Sequence, residues 1–158
     1  MNDQTVHPEP YHYVECGLPN VWLTNGFERH STPYGQGVSI HDILGLHKCI
    51  AKFLCDKTEP LTGQEFKFLR REMDFSQQAV GELFGVQPRQ IRNVEKSEET
   101  GAPYNLWMRH IYLESIDPRS SLVDLMERLR SLDMEWHQNL AMKSDESGAW
   151  MVELSEAA

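Results

Sequence analysis

Between Gln87 and Lys96 the chain sets six polar or basic side chains within ten residues: Gln87, Arg89, Gln90, Arg92, Asn93 and Lys96. Most carry flat, two-pronged hydrogen-bonding ends. The arginine fork matches the O6/N7 edge of guanine, and a carboxamide matches the N6/N7 edge of adenine. Each good pair discriminates by about 1–3 kcal/mol. Lysine has no fork and meets phosphate oxygen as a point charge. Helical spacing sorts the segment further: Ile91 and Val94 turn one way, while Gln87, Arg89, Gln90 and Asn93 fall on or near the opposite face. The chemistry on offer is recognition of base edges and phosphates, although each such charge is also what an ordinary solvated helix face would carry.

Metal or nucleophilic chemistry is the rival reading. The chain holds seven histidines and three cysteines, densest at His41, His47, Cys49 and Cys55. Both His41 to His47 and Cys49 to Cys55 are six apart, not the i, i+4 spacing of a helical zinc pair. No HExxH and no CxxC occurs, and nothing positions a third group beside a Cys/His pair. No catalytic residue, metal or cofactor is therefore expected. An odd number of cysteines does not make a disulfide framework and suits a reduced, cytoplasmic protein.

The elements around residues 87–96 must hold that face outward. Ser76 reads as the N-cap of a helix from Gln77 to Phe84, Gly81 supplies a small residue at a close contact, and Gly85 supplies a turn position with positive φ. Val80, Phe84, Val86, Ile91 and Val94 share one apolar side, and Pro88 suits the first turn of the following helix. Upstream, Thr62 and Glu65 form a capping-box pattern opening a helix with Phe66, Leu69 and Met73 on its stripe, flanked by Arg70 and Arg71. Gln77 at a helix N-terminus, with Arg70, Arg71, Arg92 and Lys96, is expected at the phosphate backbone.

The stretch FSQQAVGELFGVQPRQIRNVEK resembles the helix-turn-helix of the Xre/Cro/cI repressor family, over about residues 61–97. The Ser-Gln opening is Ser76-Gln77, and the family's glutamate late in the reading helix is Glu95. Gly81 stands where Ala is usual, and Ser97-Glu98 where the family often has Gly. The resemblance implies a lambda-repressor-like bundle that reads double-stranded DNA through the major groove. A fainter likeness takes in the whole chain: a β-rich module leading through LTGQEFKFLRREM into this motif is similar to regulators and antitoxins of the MqsA type. Those hold zinc with paired CxxC, whereas only Cys16 stands in the corresponding region, so zinc is not carried over.

The expected architecture is mainly α within an α+β class, with a small N-terminal antiparallel β module and a C-terminal dimerisation helix. Residues 1–10 read as a loose polar leader with neither a signal nor a transit pattern. Residues 11–59 read as a hairpin plus helix: short runs at 11–14 and 21–23, a turn at Asn25-Gly26, a returning strand Phe27 to Thr32, and glycines 35 and 37 ending the pattern. A helix capped by Ser39 then puts Ile43, Leu46, Ile50, Phe53 and Leu54 on one face. The module is small enough that it should dock on the central domain or a second subunit. Residues 60–117 form the DNA-binding unit, closed by a helix from Tyr104 to Ser115. From residue 118 to 142 a helix carries Leu122, Leu125, Leu129, Leu132 and Trp136 at near-heptad spacing, a stripe suited to a homodimer. Residues 143–158 are an acidic tail with an apolar island, Trp150-Met151-Val152, that suits either an edge strand on the N-terminal sheet or a partner-binding peptide.

Charge distribution agrees with one binding face on an acidic body. The chain carries −9 overall, with −3 over residues 1–59, +1 over 60–97 and −7 over 98–158. No apolar run approaches the roughly 20 residues a membrane span needs. The expected function is a DNA-binding transcriptional regulator, a repressor in sign, on a palindromic operator. The alternative is an antitoxin in which residues 11–55 bind a toxin while the motif autoregulates. A small-molecule or protein effector is compatible with both.

Overall fold

The computed structural model describes residues 9–117, Arg119, 141–144, 146–147 and 150–153. They form an α+β chain. The elements run β1 (Tyr11–His12), a 3-10 turn (Val14–Cys16), β2 (Trp22–Leu23), β3 (Phe27–Thr32), β4 (Gly35–Ile40), α1 (Ile43–Asp56), α2 (Gly63–Glu72), α3 (Gln77–Phe84), α4 (Pro88–Lys96), α5 (Ala102–Ile116), β5 (Ala141–Ser144) and β6 (Trp150–Glu153). The strands make three separate two-stranded antiparallel sheets.

The N-terminal strands pair differently from the expectation. Asn25-Gly26 does not join two paired strands. β2 turns back on β1, with Tyr11 opposite Leu23, and β3 pairs with β4 from Phe27–Ile40 to Thr32–Gly35. The hairpin turn is Pro33-Tyr34, fastened by the Thr32 hydroxyl, which donates to the Gly35 carbonyl at 2.6 Å and accepts from the Tyr34 N–H. Glycines 35 and 37 thus lie inside a strand. Residues 21–23 alternate too briefly to support a six-residue partner, whereas 35–40 match β3 in length. The helix start also moves, from Ser39 to Asp42, whose carboxylate accepts from Gly45 N–H. Leu54 is buried as expected, with Ala51 and Cys55 beside it, whereas Ile43 and Phe53, placed on the same face by spacing, are 45% and 65% exposed.

A single core runs from Tyr13 through Leu54, Phe66, Leu69, Val80 and Ile91 to Met108 and Tyr112. α2 lies at its centre and buries two sides. Phe66 meets the rings of Phe84 on α3 and Tyr104 on α5, while Phe68 meets the His47 ring of α1. The link between α1 and α2 is tied from α5: Arg109 donates to the carbonyls of Lys57 and Glu59, and Asn105 Oδ1 accepts from Leu61 N–H. Lys57 Nζ sits 2.7 Å from Glu65 Oε2, so the capping-box carboxylate also neutralises a nearly buried cation. Across the same junction His47 bridges the Tyr13 hydroxyl and the Glu72 carboxylate at 2.7 Å each. These ties explain how a module of under fifty residues, too small to bury a core alone, stays ordered: it shares one.

At the other end β5 pairs with β6, Ala141 opposite Glu153. The apolar island 150–152 therefore joins its own neighbour rather than the N-terminal sheet, and Ala141 and Met142 are strand, not the end of a helix. The stripe Leu122, Leu125, Leu129, Leu132 and Trp136 lies outside the described residues. No helix among the described residues is long and apolar enough to cross a membrane.

Candidate nucleic-acid interface

α3 and α4 owe their relative placement to two glycines and one turn. Gly85 ends α3 in the left-handed region at φ 67°, where a side chain would be strained. A Cβ at Gly81 would stand 2.6 Å from the Val86 carbonyl oxygen, and Val86 N–H donates to Gly81 O at 2.8 Å. The close contact expected at Gly81 is thus with the turn backbone. Ser76 caps α3 through Ala79 N–H at 3.0 Å. Ile91 and Val94 are buried beneath α4, and Pro88 occupies its first turn.

This leaves Gln87, Arg89, Gln90, Arg92, Asn93 and Lys96 exposed. Gln87 is the N-cap of α4 yet spends no side-chain hydrogen bond on the cap. None of the six side chains forms a hydrogen bond or ion pair with a described residue. Gln87, Arg89, Gln90 and Asn93 together line a shallow depression of about 560 Å³ with Gly85 and Val86. Arg71 on α2 is also exposed.

Arg70 and Gln77 are placed differently from the outward backbone contacts expected of them. Arg70 turns inward: Nε donates to Glu95 Oε1 at 2.5 Å, Nη1 donates to Phe75 O at 2.6 Å, and the side chain is only 11% exposed. Gln77 Nε2 donates to the other Glu95 oxygen at 2.7 Å. Glu95, with its side chain 4% exposed, therefore joins the end of α2, the start of α3 and the last turn of α4. Arg70 is a positioning residue. Gln77 is half-buried, with one amide N–H committed. Sequence reasoning placed Glu95 only through its family position; the spacing of 25 residues between Arg70 and Glu95 carries no local signal of the pair.

The exit from α4 needs no glycine. Ser97 takes extended backbone at φ −73°, ψ 152°, and its hydroxyl donates to Val94 O at 2.6 Å. Its carbonyl accepts from Gly63 N–H, and Thr100 fastens the loop to Leu61 O through both its N–H and its hydroxyl.

The described histidines and cysteines do not converge. Among the described residues no group of three His, Cys, Asp or Glu is placed to hold a metal ion. His41 faces Glu28, His47 is taken by Tyr13 and Glu72, Cys49 is exposed, and Cys16 and Cys55 are buried. Burial pushes the Cys55 thiol up to about 11, against a smaller opposing effect of Arg109. Burial raises Cys16 as well. Since only thiolate is nucleophilic, titration of the native chain with a thiol reagent at pH 8 should show one fast group, Cys49. Denaturant should release all three; three fast thiols in the native state would contradict the burial.

Comparison of the chain with protein-family models, with curated proteins and with solved structures finds no match in any of the three.

Proposed function

We propose that this chain is a sequence-specific DNA-binding transcriptional regulator of the Xre/Cro/cI kind, its α2–α5 unit a lambda-repressor-like bundle with α4 as reading helix. It acts as a repressor, binding a palindromic operator as a homodimer. The observation that carries this reading is the division of α4. One side is sealed by Ile91, Val94 and Glu95, while six exposed polar or basic side chains, with no internal partner among the described residues, fill the other. A solvated helix in a chain of net −9 would be expected to mix acids into that face; here the exposed residues from 87 to 96 include none. The dimer is supported by the near-heptad stripe of 122–136 and by the need of one reading helix for a symmetric mate to cover a full operator.

The roles separate by substitution. Arg89→Ala is expected to relax base preference at one operator position, a loss of about 1–3 kcal/mol on the best sequence and little on others. Arg71→Ala should weaken binding to all sequences alike and reduce the salt slope by about one. Fluorescence anisotropy on matched and scrambled duplexes across a salt series measures both. Identical profiles for the two variants would contradict the roles.

A second reading draws on the N-terminal module. Trp22 and Phe53 are 58% and 65% exposed beside a largely apolar hollow of about 340 Å³ that includes Val21 and Ile50. An exposed apolar patch of this kind favours a protein partner, which in the antitoxin reading is a toxin. Co-purification of a stoichiometric small protein lost on Trp22→Ser would favour that reading.

A further inference from the structure

We propose that the cleft between the Cys16–Gly17 turn and the α2–α4 pair binds a phosphate-bearing small molecule of nucleotide size. The proposal shares Arg71 and Lys96 with the DNA reading above, and its effector role rests on that reading, whereas binding of the probes does not. The cleft has a volume of about 600 Å³, within the range that holds small-molecule ligands and larger than a lone phosphate would fill. Its walls come from three separate pieces of chain: the N-terminal turn, α2 from its first turn onward, and the end of α4 with residues 97–98.

Three cations line it. Lys67 and Arg71 stand one helical turn apart on α2, and Lys96 closes α4. All three are exposed, and none has an ion-pair partner among the described residues, although acids outnumber bases by nine in the chain. Two carboxylates share the lining. Glu95 already has one oxygen on Arg70 and the other on Gln77, which leaves Glu98 as the lining carboxylate with no partner among the described residues. The cleft therefore carries a net positive charge that an anion with two or three acceptor oxygens would neutralise. Phe68 and Cys16, 4% and 9% exposed, show only their edges to the cleft and form its apolar floor, on which a flat body attached to the phosphate would rest. Inorganic phosphate alone would leave most of the cleft filled with water.

Occupancy would bear on the reading face by a short path. Lys96 lies three residues from Asn93 on α4, and Glu95 between them fixes α2 and α3 to the same helix. A ligand that draws Lys96 toward Lys67 and Arg71 holds the last turn of α4 to α2, so the site is suited to an effector.

Isothermal titration calorimetry of the full chain in about 150 mM potassium chloride, a salt that screens loose ionic contacts, tests this with ADP, pyrophosphate, inorganic phosphate and adenosine as probes. ADP is expected to bind one per chain with Kd at or below about 1 mM, more tightly than inorganic phosphate, and adenosine not at all. Lys67→Gln with Arg71→Gln should weaken ADP about tenfold or more, the loss expected for charge-assisted hydrogen bonds. Lys67→Arg should retain binding, and Glu98→Gln should tighten it. These positions are exposed, and an unchanged melting temperature would confirm folding. Absence of ADP binding, equal affinity for ADP and inorganic phosphate, or undiminished binding by the double variant would each overturn the proposal. If no probe binds but the double variant loses affinity for DNA of every sequence, the cleft is a track for the DNA backbone instead.

Discussion

Glu95→Ala should cost this protein about 3–5 kcal/mol of stability, the penalty for leaving a buried cation without its partner. Arg70 Nε and Gln77 Nε2 both end on the Glu95 carboxylate, and the two charged side chains are 11% and 4% exposed. Water cannot readily replace the lost acceptor. For a chain of this size the loss corresponds to a fall in melting temperature on the order of 10 °C. Glu95→Gln keeps one acceptor and should cost less. Arg70→Met combined with Glu95→Leu removes both charges together and should recover most of the stability, since a buried pair replaced by apolar groups is often neutral or better. Thermal and urea unfolding of the three variants checks the series. If Glu95→Ala unfolds like the wild type, the buried junction of α2, α3 and α4 does not exist as described.

Gly63→Ala should be the other severe substitution. A Cβ there would meet the carbonyl oxygens of Val94, Glu95 and Ser97 at 2.5–2.6 Å, all backbone and none able to swing away. Either α2 or the end of α4 must move. Overpacking of this sort costs about 1–3 kcal/mol and more where the neighbours are rigid. Under the proposed function the displaced element carries the reading face, so DNA affinity should fall with stability. Gly81→Ala meets one carbonyl oxygen at 2.6 Å and gains up to about 1 kcal/mol in helix propensity, so its net effect should be smaller. Gly101→Ala meets nothing within 4 Å and serves as the control. Urea midpoints ranked Gly63→Ala well below Gly81→Ala, with Gly101→Ala near wild type, are the expected order. A Gly63→Ala protein as stable as the control would contradict the close approach.

The helices of the central unit were legible because their signals are local. The capping box at Thr62 and Glu65, the cap at Ser76, the αL turn at Gly85 and proline at residue 88 each act within a few residues, and all four appear in place. The apolar set Val80, Ile91 and Val94 was readable for the same reason, since period 3.6 reports burial directly. Partnerships across sequence were not. Asn25-Gly26 has the composition of a hairpin turn, but strand length and the Thr32 hydroxyl decided in favour of Pro33-Tyr34. Phe53 fits the stripe of α1 by spacing, yet the face that docks on α2 and α5 is set by Ala51, Leu54 and Cys55. Arg70 reads as a surface cation until Glu95 is brought beside it, and Gly63 reads as part of a cap until three carbonyl groups close over it. Lys67 drew no notice in the sequence because it becomes part of a cleft only when the N-terminal turn is folded against α2.

Binding selection from random duplex DNA, at about 150 mM salt so that purely ionic contacts are suppressed, tests the central claim most directly. The account predicts enrichment of a two-fold symmetric site with half-sites about one helical turn apart, lost on combined Arg89→Ala and Asn93→Ala substitution. A pool that emerges with no enriched sequence, from protein shown to be folded, would contradict it.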